Sequence, residues 1–263
     1  MRVFASQIAS PPDTQIVEIG AGSGQITQAI VDLQYSVLAL EIDAAWAESL
    51  KKLALPRVRV LEIDALNWTP PDKELVLVGN LPFSVGTRIL RHVLSFGPQV
   101  VQEAVFLLQK EYVAKRVGHW GGNLFNAQWS PWFRFKQGAS FPCTAFRPVP
   151  RSDATTLIVK THESISLPWS ERVDYQRLWT RIYTTGQSSI GDAASVALGG
   201  KAQAIICRSR VSSSKRVKML ERIECEEIYR AWREGESIRA ARSSNSTTDS
   251  PGSTGRPRRQ RRS

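Results

Sequence analysis

The sequence predicts an α/β fold, with short buried strands alternating with helices and presenting their carboxyl ends to a ligand, and a smaller helical unit behind. Three observations carry this. Residues 15–19 (Gln-Ile-Val-Glu-Ile) form a β-branched run that enters Gly20-Ala21-Gly22-Ser23-Gly24 and then a helical pattern through Leu33. Residues 36–40 and 58–63 are further apolar runs, and each gives way to carboxylates, Glu41 with Asp43 and then Asp64. Residues 75–78 follow the charged Asp72-Lys73-Glu74 and stop at Gly79-Asn80-Leu81-Pro82-Phe83, a breaker that closes a fourth strand.

Each element has a local reason. The glycines let the backbone approach a ligand closely, and they stand at the amino end of the next helix, where N–H groups point outward. Glu41, at the end of the second strand, is placed to accept hydrogen bonds from both hydroxyls of a ribose, and Asp64 from an exocyclic amine. At the fourth strand, the Asn80 oxygen and a neighbouring backbone carbonyl can accept both hydrogens of such an amine. Pro82 fixes the turn, and Phe83 offers a ring face for a base. Taken singly, each acid reads as a solvated strand end, the glycine run as a plain strand-to-helix turn, and the Asn-Leu-Pro-Phe stretch as a tight turn with a buried ring. Together on four successive strands they favour a nucleoside-binding edge.

Composition narrows the partners. The chain has 263 residues, enough for one large domain and a small one, and its 42% apolar and 22% charged residues are those of an ordinary globular protein. Its net charge of +11 favours a polyanion such as nucleic acid, although six of those charges lie in the Arg-rich end from Arg239. Cys143, Cys207 and Cys225 lack paired spacing, and His92, His119 and His162 are scattered, so no metal site is expected. No apolar run reaches the ~18 residues of a membrane span, and Ser6 and Gln7 interrupt the apolar start, so a cytoplasmic protein is expected.

The dinucleotide fingerprint fails, because Gln25 follows Gly24. With Glu18 ahead of the glycines, the stretch resembles motif I of S-adenosylmethionine-dependent methyltransferases. Glu18-Ile19-Gly20-Ala21-Gly22, Glu41-Ile42-Asp43, Asp64-Ala65 and Asn80-Leu81-Pro82-Phe83 occur in the order and rough spacing of the rRNA adenine N6-methyltransferases. That family includes the erythromycin-resistance (Erm) enzymes of 23S rRNA and the 16S rRNA dimethyltransferases. Downstream, Leu108-Gln109-Lys110-Glu111-Tyr112-Val113-Ala114-Lys115-Arg116 resembles the family's Q-x-E-x-A-x-R helix, and Phe146-Arg147-Pro148-Val149-Pro150 its F-x-P-x-P segment. The resemblance covers residues 8–200. Gln128-Trp129-Ser130-Pro131-Trp132-Phe133 is closer to Erm enzymes of high-GC Gram-positive bacteria.

The resemblance implies a Rossmann-like S-adenosylmethionine-dependent methyltransferase sheet with a small C-terminal helical domain, acting as a monomer. It implies S-adenosylmethionine contacts at Gly20, Gly22, Glu41, Asp64 and Asn80, and a catalytic segment of Asn80, Leu81, Pro82 and Phe83. The family often has Tyr where this chain has Phe83; the ring face that stacks on a flipped adenine is kept. Trp120, Phe125, Trp129, Trp132, Phe133 and Phe135 make an aromatic-rich passage, and its Trp132-to-Lys136 alternation suits a strand with one basic face. On that reading Arg134, Lys136, Arg147 and Arg151 stand beside an RNA entrance; a solvated strand edge explains each equally well.

The expected domains are residues 1–165 for the catalytic unit, 166–240 for a helical RNA-binding unit with helices over 171–183 and 213–232, and 241–263 for a disordered tail. Two departures from the family stand out. The segment that closes over the cofactor ahead of the first strand has no counterpart before Gln15, and Ser152 and Ala154 replace the family's Val and Ser. Three functions follow in order: a 23S rRNA adenine N6-methyltransferase giving macrolide, lincosamide and streptogramin B resistance, a 16S rRNA dimethyltransferase, and a non-catalytic RNA-binding assembly factor.

Overall fold

The computed structural model describes residues 1–11, 14–82, 84–118, 122–146, 149 and 151–245, the last eight by backbone alone. Phe83, Trp120, Arg147 and the Arg-rich end beyond Asn245 lie outside them. Seven strands form one sheet: β1 (Gln15–Ile19), β2 (Ser36–Glu41), β3 (Val58–Glu62), β4 (Leu75–Asn80), β5 (Val101–Gln109), β6 (Phe133–Phe141) and β7 (Ala154–Thr161). Their order is β3-β2-β1-β4-β5-β7-β6. The first five are parallel, and β7 inserts antiparallel between β5 and β6. The fourth strand runs two residues past the expected end, so Asn80 is its last residue rather than part of a loop.

Helices cover both faces because parallel strands, buried on both sides, are apolar almost throughout. On one face pack α1 (Arg2–Ala5), α2 (Gln25–Val31) and α3 (Ala44–Lys52), through Phe4, Ile26, Ile30 and Leu50 against Ile16, Val37, Val76, Val78 and Val105. The other face takes α4 (Gly86–Ser95), α5 (Lys110–Val117) and α6 (Leu124–Trp129). Residues 1–11 run along the first face toward β6 and β7: Gln7 Oε1 accepts from Ala139 N (2.7 Å) and from Thr156 Oγ1 (2.7 Å).

Behind the sheet lie α7 (Arg172–Thr184), α8 (Ile190–Leu198), α9 (Ala202–Ser209) and α10 (Arg222–Asn245). An aromatic seam joins them to the sheet. The fully buried Trp132 meets Trp169 edge-on at 5.2 Å and Tyr175 at 5.4 Å, and its Nε1 donates to Leu167 O at 2.8 Å. Most of the aromatic-rich passage is therefore core and seam.

The last helix departs from expectation at both ends. It begins at Arg222 instead of residue 213, because the preceding stretch pairs elsewhere: Ile190 N donates to Lys215 O (2.8 Å) and Val217 N to Ser188 O (2.9 Å). Glu224 then caps the true start, accepting from Glu221 N (2.8 Å) and Lys215 Nζ (2.6 Å). The helix also runs through Asn245, so residues 241–245, expected in the tail, are helical; Arg239, Ala240, Ala241 and Arg242 are good helix formers.

Candidate active site

The site forms where strand order reverses, between β1 and β4, the place at which open α/β sheets bind ligands. Gly79 makes the approach possible: a Cβ there would lie 2.5 Å from the Ile19 carbonyl oxygen. The end of β4, and with it Asn80, thus sits against the start of the glycine loop. In that loop Gly20 and Gly22 have φ of +71° and +51°, and no atom lies within 4 Å of where their Cβ would be. The left-handed backbone, not crowding, requires glycine there, and the space over the loop stays open.

Glu41 shapes the loop. Its Oε2 accepts from Gly22 N at 2.7 Å and its Oε1 from Asp43 N at 2.9 Å, which fixes the carboxylate while leaving each oxygen a further lone pair. Asp43 in turn caps α3, accepting from Ala45 N and Trp46 N. Beside Glu41 lies Glu18, whose Oε2 accepts from Thr27 Oγ1 at 2.6 Å. Burial pushes the Glu18 carboxyl up to about 8; the Thr27 hydrogen bonds oppose the shift and the Glu41 charge adds to it. Glu18 carried no role in the sequence beyond its place in the motif. A buried acid next to a second acid is visible only in the fold.

Across the loop opens a cavity of about 390 Å³, within the usual range for small-molecule pockets. Gly20, Leu40, Ile42, Asp64, Pro82 and Arg88 are among its lining residues, so the structure brings Gly20, Asp64 and Pro82 together around one cavity. Asp64 Oδ1 accepts from Leu66 N at 2.8 Å, a turn that holds the carboxylate at the rim. Apolar walls with one acid at the edge fit an adenine, and the open glycine loop beside Glu41 fits the rest of an S-adenosylmethionine. Among residues 1–11 none lines this cavity. A larger, open groove of about 720 Å³ between α8 and α9 contains none of these groups.

Asn80 is exposed at the end of β4, where its backbone pairs with Leu107, and its side chain has no hydrogen-bond partner among the described residues. Leu81 is 1% exposed, so its side chain belongs to the core, and its N–H donates to Leu107 O at 3.2 Å. Gly86 N donates to Pro82 O at 2.8 Å, starting α4 directly behind the motif. Phe83 and Arg147 lie outside the described residues.

The basic residues divide. Arg151 is exposed just ahead of β7, at the carboxyl end of β5, where Lys110 N donates to Asp153 O (3.1 Å). Arg134 and Lys136 do not join it. Their register through β7 places them level with Glu103 and Val105 on β5, toward the amino ends of the parallel strands. Nearer the site are arginines the sequence reading left out. Arg88 lines the cavity. One turn on, Arg91 Nη1 donates to Gln128 Oε1 (3.1 Å), and its guanidinium lies 5.3 Å from the Phe125 centroid. Arg116 lies 4.4 Å from the same ring. Neither pairs with a carboxylate among the described residues, an arrangement suited to an anionic partner. The spacing of Arg88 and Arg91 on one helical face was a signal available in the sequence.

Among the described residues no helix is long and apolar enough to cross a membrane, and no group of three or more His, Cys, Asp or Glu is placed to hold a metal.

Comparison with known proteins identifies the family and the fold. The family model described as "Ribosomal RNA adenine dimethylase" matches residues 3–232. The chain is 34% identical over 178 residues to an rRNA adenine N-6-methyltransferase of Corynebacterium diphtheriae, covering 67% of this chain and 70% of that one. It is 30% identical over 253 residues to the mycinamicin-resistance protein MyrB of Micromonospora griseorubida, covering 96% and 80%. A ribosomal RNA small subunit methyltransferase A of Marinobacter nauticus is 33% identical over 172 residues, 60% of each chain. The solved 23S rRNA methyltransferase ErmE shares the fold at a TM-score of 0.72, with 20% identity over 88% of this chain and 95% of that one. Matched by that family model over residues 3–232, the chain belongs to the ribosomal RNA adenine dimethylase family, as an S-adenosylmethionine-dependent rRNA adenine N6-methyltransferase.

Proposed function

We propose that this protein methylates the N6 amine of one adenine in 23S rRNA, in the cytoplasm and as a monomer, and so confers resistance to macrolides, lincosamides and streptogramin B. The observation that supports this reading is Asn80, exposed at the end of β4 with its side chain unpaired among the described residues, beside the glycine loop whose Gly20 lines one cavity with Asp64.

Bound there, S-adenosylmethionine would supply an electrophilic methyl group to N6, the S–C bond breaking as the N6–C bond forms and the surplus N6 proton passing to water. The chain positions the partners. Gly20 and Gly22 leave room for the methionine end, Glu41 would accept from the ribose hydroxyls, and Asp64 would accept from the adenine amine of the cofactor. The target adenine leaves its stack and enters at Asn80. There the Asn80 oxygen and the backbone carbonyl of Leu81 accept its two amine hydrogens, which draws the nitrogen lone pair out of conjugation and toward the methyl, while the Pro82 carbonyl is already taken by Val85 N and Gly86 N. Phe83 gives the base a stacking face. Arg88, Arg91, Arg116 and Arg151 hold the flanking phosphates. No general base is required, because the amine needs orientation rather than deprotonation before attack.

The choice of 23S over 16S rRNA rests on extent: the MyrB match spans 96% of the chain, against 60% for the small-subunit relative. Incubation with methyl-labelled S-adenosylmethionine and protein-free 23S or 16S rRNA tests it, with Asn80→Ala alongside. Label in 23S alone, lost in the variant, is expected. Label in 16S alone would make the chain a small-subunit enzyme acting by the same chemistry.

A further inference from the structure

We propose that the open face of β6 and β7 is a second contact for the phosphate backbone of the RNA, remote from the site that receives the target base. This rests on the rRNA-methylating reading above. Arg134 pairs with Lys160 and Lys136 with Ile158 across the two strands, and paired residues project to the same face. A groove of about 380 Å³ opens there, walled by Gln7 and Ala9, floored by Ile158 and carrying Arg134, Lys136 and Lys160.

The cations differ in how they are held. Lys160 is fixed, 3.3 Å from Glu103 Oε1, and that buried carboxylate also accepts from Ala9 N (3.0 Å) and Ser10 Oγ (3.1 Å). Among the described residues the Lys136 side chain has no hydrogen-bond or ion-pair partner. The Arg134 guanidinium is 3.9 Å from Glu163, whose side chain is 92% exposed, a loose pair that salt screens and a phosphate displaces. Arg134 and Lys136 are separated by two residues along the strand, about 6.6 Å, close to the step between neighbouring phosphates of a nucleic acid strand. The groove is shallow and open, with point charges and an aliphatic floor. That suits a continuous phosphodiester backbone better than an isolated small anion, which needs enclosure.

Position completes the argument. Asn80 pairs with Leu107, and Lys136 is linked through Ile158 to Val105, two residues away on the same side of β5. Arg134 therefore lies about 13 Å down the strands and about 14 Å across three of them from Asn80, roughly 20 Å in all on the same face of the sheet. One structured RNA can touch both places.

The test uses the full chain with protein-free 23S rRNA, comparing wild type, Arg134→Glu/Lys136→Glu and the milder Arg134→Gln/Lys136→Gln by filter binding across a salt series. All substitutions fall on exposed edge-strand positions, and melting curves check the fold. The charge reversal is expected to weaken binding about 10-fold to 100-fold and to lower the salt slope by about two, with the neutral pair intermediate. In methyl transfer KM for RNA rises, while kcat at saturating RNA and affinity for S-adenosylmethionine stay unchanged. Unaltered binding and slope overturn the proposal, as does a fall in kcat without a change in binding, which would put these cations at the reacting base. If the wild type labels no rRNA, the functional reading fails while the binding series still decides this one.

Discussion

The crevice between β1 and β4 and the seam between the sheet and the helical unit are built from opposite materials. In the crevice, glycines, turn-held carboxylates and an Asn80 side chain without a partner among the described residues keep space open. In the seam, Trp132, Trp169, Tyr175, Trp179 and Tyr229 fill space completely, ring against ring. Removing a group from the crevice should therefore cost binding or rate with the fold intact, and removing one from the seam should cost the fold.

The largest effect is expected at the seam. Trp132→Ala deletes a fully buried ring and orphans the Leu167 carbonyl, so a loss of about 3–5 kcal/mol is expected in denaturant melts. A variant that melts like wild type would remove the contrast. Next comes Gly79→Ala, where the added methyl meets the Ile19 carbonyl and drives β4 away from β1. Stability should fall by about 1–3 kcal/mol. Methyl transfer should fall further, by roughly 100-fold, because Asn80 moves with the strand. Equal rates in both proteins would detach Asn80 from the chemistry.

Asp64→Ala is expected to be milder still: about 10-fold weaker S-adenosylmethionine binding in calorimetry, with near wild-type melting and near wild-type kcat once the cofactor saturates. Glu18→Gln gives the smallest effect at neutral pH and sharpens the comparison through pH. The folded-state pKa of Glu18, about 8, lies above the ordinary 4.5, so the fold keeps a proton that the unfolded chain releases. The stability gained from that proton is complete below pH 4.5 and drains away as pH rises to about 8. Glutamine cannot ionise, so the variant's stability curve should be flatter across that window. Parallel curves would mean Glu18 ionises freely in the fold.

The crevice was far more legible in the sequence than the seam. Strand ends are written locally: the run of residues 15–19 ends at a glycine and that of 75–78 at a breaker, and a short-range signal suffices. The start of α10 was misread because residues 213–221 show helix-like mixed periodicity, whereas their backbone is claimed by residues 188–190, a partner distant in the chain. The same holds for the basic residues. Alternation shows that Arg134 and Lys136 share a face, but which end of the sheet they occupy depends on the register of β6 with β7 and of β7 with β5. Glu18 lay in plain view, yet its raised pKa comes from burial and from Glu41, neither of which is local.

The insertion of β7 between β5 and β6 also sets an order of events during synthesis. Until Thr161 has left the ribosome, β5 is a bare edge and β6, already made, has no strand to pair with. Gln7 likewise waits for Ala139 and Thr156 before its oxygen is satisfied. The nascent chain thus holds an adhesive, half-built sheet through the emergence of β6, and a pause in translation there, or a chain broken before β7, should end in aggregation or proteolysis instead of a smaller working enzyme.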